Sequence, residues 1–209
     1  MKFSATLSAF VLVAVSALPV SVFANNTDTA KGTPAFTTNG ELKPPSGYYN
    51  WVFLTSDLGM SYNEKGSDSK QPPFSNVFVN PAAYRAFLKT GTWPNHTQFI
   101  KEFRASNTQG SINHHGFYQT GKAMAVLVHV KDTSRFKGGW GFFAFSGDPS
   151  KPAKQIPTNA SCYSCHEAHG AVESTFVQFY PGILPVAIKH ATLSKGYLAD
   201  EAKAKQDKK

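Results

Sequence analysis

The chain has 209 residues, a formal net charge of +8 at pH 7 and only two cysteines. No internal repeat and no long linker rich in proline, glycine or serine divides it, so its length fits one domain with a hydrophobic core. No nucleic-acid-binding motif accompanies the positive charge, which argues against a nucleic-acid partner.

The first 24 residues have the pattern of a secretory signal peptide. Lys2 supplies a positive start, residues 9–18 are apolar, and small residues precede a cleavage site after Ala24. The apolar run is short and Pro19 interrupts it, so a membrane span is not favoured. We therefore expect a chain that is exported to the periplasm and has no membrane span after cleavage. An uncleaved anchor is the alternative.

The remainder predicts an α+β domain. Polar residues 25–46 predict a loosely ordered lead-in, and residues 47–194 predict the folded domain. Strands are indicated by runs rich in aromatic and β-branched residues. These runs are residues 48–55, 74–79, 97–104, 122–131 and 140–145. Because strands outnumber helices, we expect a mainly antiparallel sheet with a few packed helices.

Two helices are predicted from their ends. Asn80 is suited to an N-cap, Pro81 to the first helical position and Gly91 to the C-terminal stop. Residues 183–193 predict a closing helix. The basic tail, residues 195–209, is lysine-rich and has two interpretations. It is either a solvated, frayed terminus or a docking surface for an acidic redox partner.

The two cysteines belong to a C-x-x-C-H motif formed by Cys162, Cys165 and His166. This motif is the attachment signature of c-type haem: both sulfurs bind the haem edge and the histidine binds the iron. A redox dithiol, half of a zinc site and chance are the alternatives. A zinc site needs further ligands at matching spacing, and no second cysteine pair exists. The motif therefore predicts one covalently attached haem c, on a short helix near the C-terminus.

Several segments together resemble the cytochrome P-460 family, which includes the cytochromes c′-beta. The resemblance spans about residues 47–187. Its segments are residues 49–52, 76–81, 89–91, 100–102, 130–132, 135–136, 140, 157–158 and 179–181. It implies a mostly β mono-haem domain, a homodimer, and His166 as proximal ligand beneath an open distal face. The P-460 branch oxidises hydroxylamine, whereas the c′-beta branch binds nitric oxide behind an aromatic cap.

Lys101 alternates with Phe99 and Phe103 along a predicted strand, so the three side chains share a face. The other face is more polar, and we therefore predict that the face of Lys101 is the buried one. Burying a charged amine is costly, so this lysine must be paired or neutralised. One interpretation is a lysine whose amine reaches solvent at a sheet edge. The resemblance implies another, a covalent cross-link from Lys101 to the haem.

Leu127 is the main departure from the family pattern. The resemblance places a glutamate here in the hydroxylamine-oxidising branch, where it would accept a proton from the substrate. Leucine cannot do this, which argues against efficient turnover. Leu127 shares its strand face with Ala125 and His129. The opposite face, formed by Met124, Val126, Val128 and Val130, predicts the packed side of the sheet, with Met124 in the core.

The remaining histidines have open interpretations. His129 is either a displaced distal base or a surface residue of its strand. His114 and His115 lie in a glycine-flanked loop that could approach the distal side, although exposure is the simpler expectation. We expect His169 to face solvent. The resemblance implies an empty sixth iron site, although Met60 offers a thioether in the mature chain.

Three functional hypotheses follow. The first is an enzyme that oxidises hydroxylamine and passes electrons to a periplasmic redox partner, which Lys101 supports and Leu127 opposes. The second is a protein that captures nitric oxide in an apolar pocket. Leu127 supports the second, as do phenylalanines that could form a cap: Phe53, Phe74, Phe78, Phe99 and Phe103. The third is an electron carrier with two axial ligands.

Overall fold

The computed structural model describes residues 32–62, 69–146, 148 and 150–207, so the expected signal peptide lies outside the described residues. One antiparallel sheet has its five strands in chain order. They are β1 (Val52–Leu58), β2 (Phe74–Val79), β3 (Gln98–Asn107), β4 (Tyr118–Lys131) and β5 (Trp140–Ser146). The helices are α1 (Pro81–Thr90), α2 (Ser161–His169), α3 (Leu184–Lys189) and α4 (Lys195–Gln206). The predicted α+β class with an antiparallel sheet is confirmed.

The local signals for β2 and α1 predict these elements well. Gly91 ends α1 with φ of 70°, a left-handed conformation that glycine adopts without strain. Asn80 occupies the N-cap position, but its side chain makes no cap bond in α1. Its Oδ1 instead accepts from the Gln98 backbone N–H at 2.8 Å. The start of α1 is therefore tied to the start of β3.

Helices cover one face of the sheet and irregular segments cover the other. On the helical side, Val77, Val79, Phe99 and Trp140 pack with residues of α1 and with the chain around Ala171, Val177 and Ile183. On the opposite side, Ile100, Val128 and Val130 pack against Leu42, Trp51 and Phe136. Leu42 is fully buried and exchanges two backbone hydrogen bonds with Ala153. The expected loose lead-in is therefore wrong for residues 32–46.

The sequence-based face assignment is wrong for β3 and right for most of β4. Ile100 and Glu102 are fully buried, whereas Lys101 and Phe103 are only partly buried. The face of Lys101 is thus the less buried one. In β4, Val126, Val128 and Val130 are buried as predicted, but Met124 is 52% exposed rather than part of the core.

The C-terminal segment forms a helix instead of a frayed tail. Gly196 in α4 lies so close to α2 that an added Cβ would be 2.0 Å from the Ala168 carbonyl oxygen. His169 Nδ1 lies 2.7 Å from Asp200 Oδ2 and links the same two helices. These contacts hold α4 against α2. None of the described helices combines the length and apolar character needed to cross a membrane.

Candidate functional site

A cavity lies between α2 and the helical face of the sheet. Its walls come from β1 to β5 and from the segments around α2. The lining is mostly apolar and aromatic, with a few polar groups. It includes Asp57, Met60, Tyr62, Val77, Phe99, Lys101, Phe103, Leu127, His129, Phe142, Cys162, His166, Phe176, Phe179 and Tyr180.

The strand register arranges the sheet side of this cavity in three rows. The first row contains Phe99, His129 and Phe142. The second contains Val77, Lys101 and Leu127, and the third contains Asp57, Ser75 and Phe103. Successive rows are two residues apart, or about 7 Å along the strands. The row of a side chain therefore indicates its distance, along the strands, from His166 in α2.

The C-x-x-C-H residues lie along one side of α2. Cys162 and His166 are four residues apart and both line the cavity, while Cys165 is three residues from Cys162. Such spacings place side chains on the same helix face. Both thiols are free and partly buried. Burial, together with the neighbouring Cys162, raises the pKa of the Cys165 thiol.

His166 is oriented by a backbone carbonyl. Its Nδ1 lies 2.8 Å from the Ser174 carbonyl oxygen. A carbonyl can only accept, so Nδ1 carries the proton and Nε2 keeps a free lone pair. Burial lowers the pKa of His166, and the charge of Lys101 lowers it further against the opposing effect of the Ser174 bond. The imidazole is therefore neutral at pH 7, as a metal ligand must be.

A strained turn presents that carbonyl. Glu173 and Ser174 have φ of 45° and 60°, which is costly for residues other than glycine. Val172 and Thr175 close the turn with backbone bonds of 2.8 and 3.2 Å. The Glu173 carboxylate accepts from the Trp93 backbone N–H at 2.7 Å and from Lys131 Nζ at 2.8 Å. These contacts fix the turn and hence the orientation of His166.

His129 is buried beside His166, not at the surface as one interpretation held. Its ring stacks on Phe142 at 4.0 Å and lies 5.1 Å from the His166 ring. Burial and then repulsion from His166 lower its pKa well below the ordinary value, so it stays neutral. Its Nε2 has no hydrogen-bond partner among the described residues. His129 shares the level of His166, which argues against a base on the opposite side.

Lys101 and Leu127 face each other across β3 and β4, and both line the cavity. Lys101 Nζ lies 3.7 Å from Asp57 Oδ2 and 5.3 Å from the centre of the Phe103 ring. Ser75 Oγ also donates to Asp57. Burial, with a further effect from the Asp57 charge, raises the pKa of Tyr62 to about 12. Asp57 was not predicted as a site residue from the sequence, where its only local signal is a polar residue near the end of a strand.

The other predicted site residues divide between the cavity and the surface. Of the five phenylalanines proposed as a cap, Phe99 and Phe103 line the cavity. Phe53 and Phe78 contact each other on the other face of the sheet, which Phe74 shares. Four further cavity phenylalanines, Phe142, Phe143, Phe176 and Phe179, were not anticipated. Met60 also lines the cavity. Of the other histidines considered as site residues, His114, His115 and His169 are exposed as expected.

The cytochrome P460 family model matches residues 45–177 of the chain. The chain belongs to the cytochrome P460 family. Membership implies a haem cofactor and a c-type cytochrome. A comparison with curated proteins gives no match.

The cavity of this cytochrome P460 family member fits a haem. Cys162, Cys165 and His166 offer two thiols and a neutral imidazole along one helix, and the walls are largely aromatic. The unpartnered Nε2 of His129 is a buried polar atom at the cavity wall that a cofactor's polar edge could satisfy. Among the described residues, no three histidine, cysteine or acidic side chains cluster as a metal site.

Proposed function

We propose that this cytochrome carries one haem c on Cys162 and Cys165 and binds hydroxylamine and nitric oxide at an open iron site. The observation that carries the proposal is the position of His166. The Ser174 carbonyl orients its ring, which lines an apolar cavity. When bound, the haem supplies an iron that takes small ligands and accepts electrons. Lys101 and Leu127 occupy the next row of the cavity.

The residues of the chain determine which ligands can enter. In the row farthest from His166, Phe103 is apolar and Asp57 and Ser75 are small polar residues. None of these three is a histidine, methionine or cysteine, the usual strong iron ligands. This composition supports an open position for small ligands. The thioether of Met60 is the one observation that favours an electron carrier instead.

We expect the purified ferric protein to be five-coordinate and high-spin, because none of the described side chains in the row farthest from His166 is a strong iron ligand. Titration with nitric oxide or hydroxylamine should shift the optical spectrum to saturation with one ligand per haem. Met60→Leu should leave both the resting spectrum and the titrations unchanged. A low-spin resting spectrum that Met60→Leu converts to high-spin would establish the electron carrier instead.

We also propose that Lys101 is cross-linked to the haem edge. The bond would replace one N–H and one C–H, and the two electrons and two protons released would reduce an oxidant of the peroxide class to water. We expect a red-shifted Soret band in the ferrous protein and a haem peptide joined to the peptide that contains Lys101. Lys101→Arg should abolish both signals, whereas Lys89→Arg on the exposed side of α1 should retain them. Haem peptides held only by Cys162 and Cys165 in the wild type would disprove the cross-link.

Location and assembly remain proposals as well. We propose a periplasmic protein, supported by the signal-peptide pattern that ends at Ala24. We further propose a homodimer, which the aromatic side chains of Tyr49 and Phe53, both more than half exposed, could stabilise. Electrons from a bound substrate would leave to a periplasmic redox partner.

A further inference from the structure

Asp57 is the only carboxylate among the described residues that line the cavity. Its side chain is 18% exposed, so the group is mostly withdrawn from solvent but keeps a route to it. Ser75 Oγ donates to Asp57 Oδ2, and Lys101 Nζ lies 3.7 Å from the same oxygen. The two contacts hold the carboxylate at the cavity wall.

The strand register places this carboxylate on the far side of Lys101 from His166. The His166 ring contacts the first row, where the ring centres of His129 and Phe142 lie 5.1 and 4.7 Å away. Lys101 belongs to the second row, and Asp57 to the third. Two row steps, together about 14 Å along the strands, separate Asp57 from the level of His166. Asp57 therefore lies at the end of the cavity away from His166, beyond Lys101.

Hydroxylamine and nitric oxide differ in whether they can donate a hydrogen bond to a carboxylate. Hydroxylamine has N–H and O–H groups that donate hydrogen bonds, whereas nitric oxide has none. A hydrogen bond to a charged acceptor in a partly buried site contributes about 1.5–3 kcal/mol. The Asp57 carboxylate should therefore strengthen the binding of hydroxylamine and leave that of nitric oxide unchanged.

We propose that the Asp57 carboxylate accepts a hydrogen bond from the N–H or O–H group of hydroxylamine and takes up a proton as this substrate is oxidised; this inference rests on the proposed function. Oxidation to nitric oxide follows NH₂OH → NO + 3 H⁺ + 3 e⁻. The haem, when bound, would take up these electrons, and a one-electron acceptor would remove them; the acceptor is a redox partner in the cell or a dye in the assay. One proton at a time moves to Asp57 Oδ and then to water through the exposed part of the side chain.

Other cavity residues are less suited to this role. Leu127 has no group that takes a proton. His129 stays at the level of His166, surrounded by Trp140 and Phe142 at 4.2 and 4.0 Å between ring centres. Tyr62, whose pKa is raised to about 12, is a proton donor at neutral pH and not a base. Asp57 thus supplies the carboxylate that Leu127 lacks, but from β1 instead of β4.

The test compares Asp57→Asn with the wild-type haem protein. Hydroxylamine affinity, measured by optical titration, should fall about tenfold, as loss of a charged hydrogen bond implies. Nitric oxide affinity and haem content should not change. Steady-state oxidation of hydroxylamine with a dye acceptor should slow about 100-fold in kcat, the usual size of a lost general base. Asp148→Asn, which alters an exposed carboxylate, is the matched control and should behave as wild type.

A rescue variant and three contrary outcomes make the test decisive. Leu127→Glu in the Asp57→Asn background returns a carboxylate to the cavity, and at least tenfold recovery of kcat is expected. If wild type binds neither ligand, the proposed function fails. If it binds both but Asp57→Asn retains hydroxylamine affinity and turnover, or the wild type has no turnover, the role of Asp57 fails. Equal weakening of both ligands would show a merely structural role.

Discussion

Replacing both Cys162 and Cys165 by alanine is expected to abolish the thioether attachment of the haem. Wild-type protein made in a host that attaches c-type haem should keep its haem through denaturing electrophoresis. The double variant, made together with Lys101→Arg to remove the proposed cross-link, should lose all of it. Each single variant should keep a haem held by one thioether. The reason is local: α2 has only these two sulfurs, they are partly buried, and Cys162 opens directly on the cavity.

The axial ligand can be tested on the same helix. His166→Ala should keep the haem through both thioethers but lose the spectrum of a histidine-bound iron, because Ser174 would then have no imidazole to orient. His169→Ala is the matched control, since its ring is exposed and contacts Asp200 instead of the cavity. Wild-type protein that releases its haem on denaturation would contradict covalent attachment.

Local sequence signals predicted the elements of the fold, because the residues that define each element lie close together in the sequence. Pro81 and Gly91 mark the two ends of α1 by their backbone preferences, and the observed helix Pro81–Thr90 follows from them, although Asn80 makes no side-chain cap bond. The C-x-x-C-H spacing likewise needs only one helix to bring its side chains together. The alternation in β4 correctly separated the packed valines from the face of Leu127 and His129.

The errors all come from contacts between distant segments. One of the two interpretations of His129, a surface residue of its strand, is wrong, because nothing near it in sequence reveals that Trp140, Phe142 and His166 enclose its ring. Asp57 was missed because its partner Lys101 is two strands away in the sheet. The ring contacts of His129 and the pairing of Asp57 with Lys101 both depend on the register of the sheet, which a single sequence does not reveal.

The face of β3 was assigned wrongly for the same reason, and Glu102 shows the physical cause. A glutamate normally indicates solvent, yet this one is fully buried. Tyr48 Oη and Tyr49 Oη each lie 2.5 Å from Glu102 Oε2, and Arg104 Nε donates to Oε1. Four polar side chains from two distant segments thus satisfy one another and make burial possible.

Glu102→Gln should lower the free energy of unfolding by about 3 kcal/mol at pH 7, because it leaves the Arg104 guanidinium without its charged partner in a buried site. Burial alone would raise the pKa of Glu102, but the hydrogen bonds from Arg104, Tyr48 and Tyr49 outweigh it and lower the pKa. Chemical denaturation followed by far-UV circular dichroism measures the loss. Glu201→Gln, at an exposed position of α4, is the control and should change stability by less than about 0.5 kcal/mol.

The pH dependence of the free energy of unfolding tests whether the charged form of Glu102 stabilises the fold. A carboxyl group whose pKa is lower in the folded than in the unfolded chain stabilises the fold above the unfolded value of about 4.3. That stabilisation is lost as the pH falls through the folded pKa. The difference between wild type and Glu102→Gln should therefore be constant from pH 7 to about pH 5 and shrink below about pH 4. A difference independent of pH would mean that the charge of Glu102 contributes nothing. Because Lys101 precedes Glu102 in β3 and points to the opposite face, the same carboxylate that stabilises the fold also keeps Lys101 directed into the cavity.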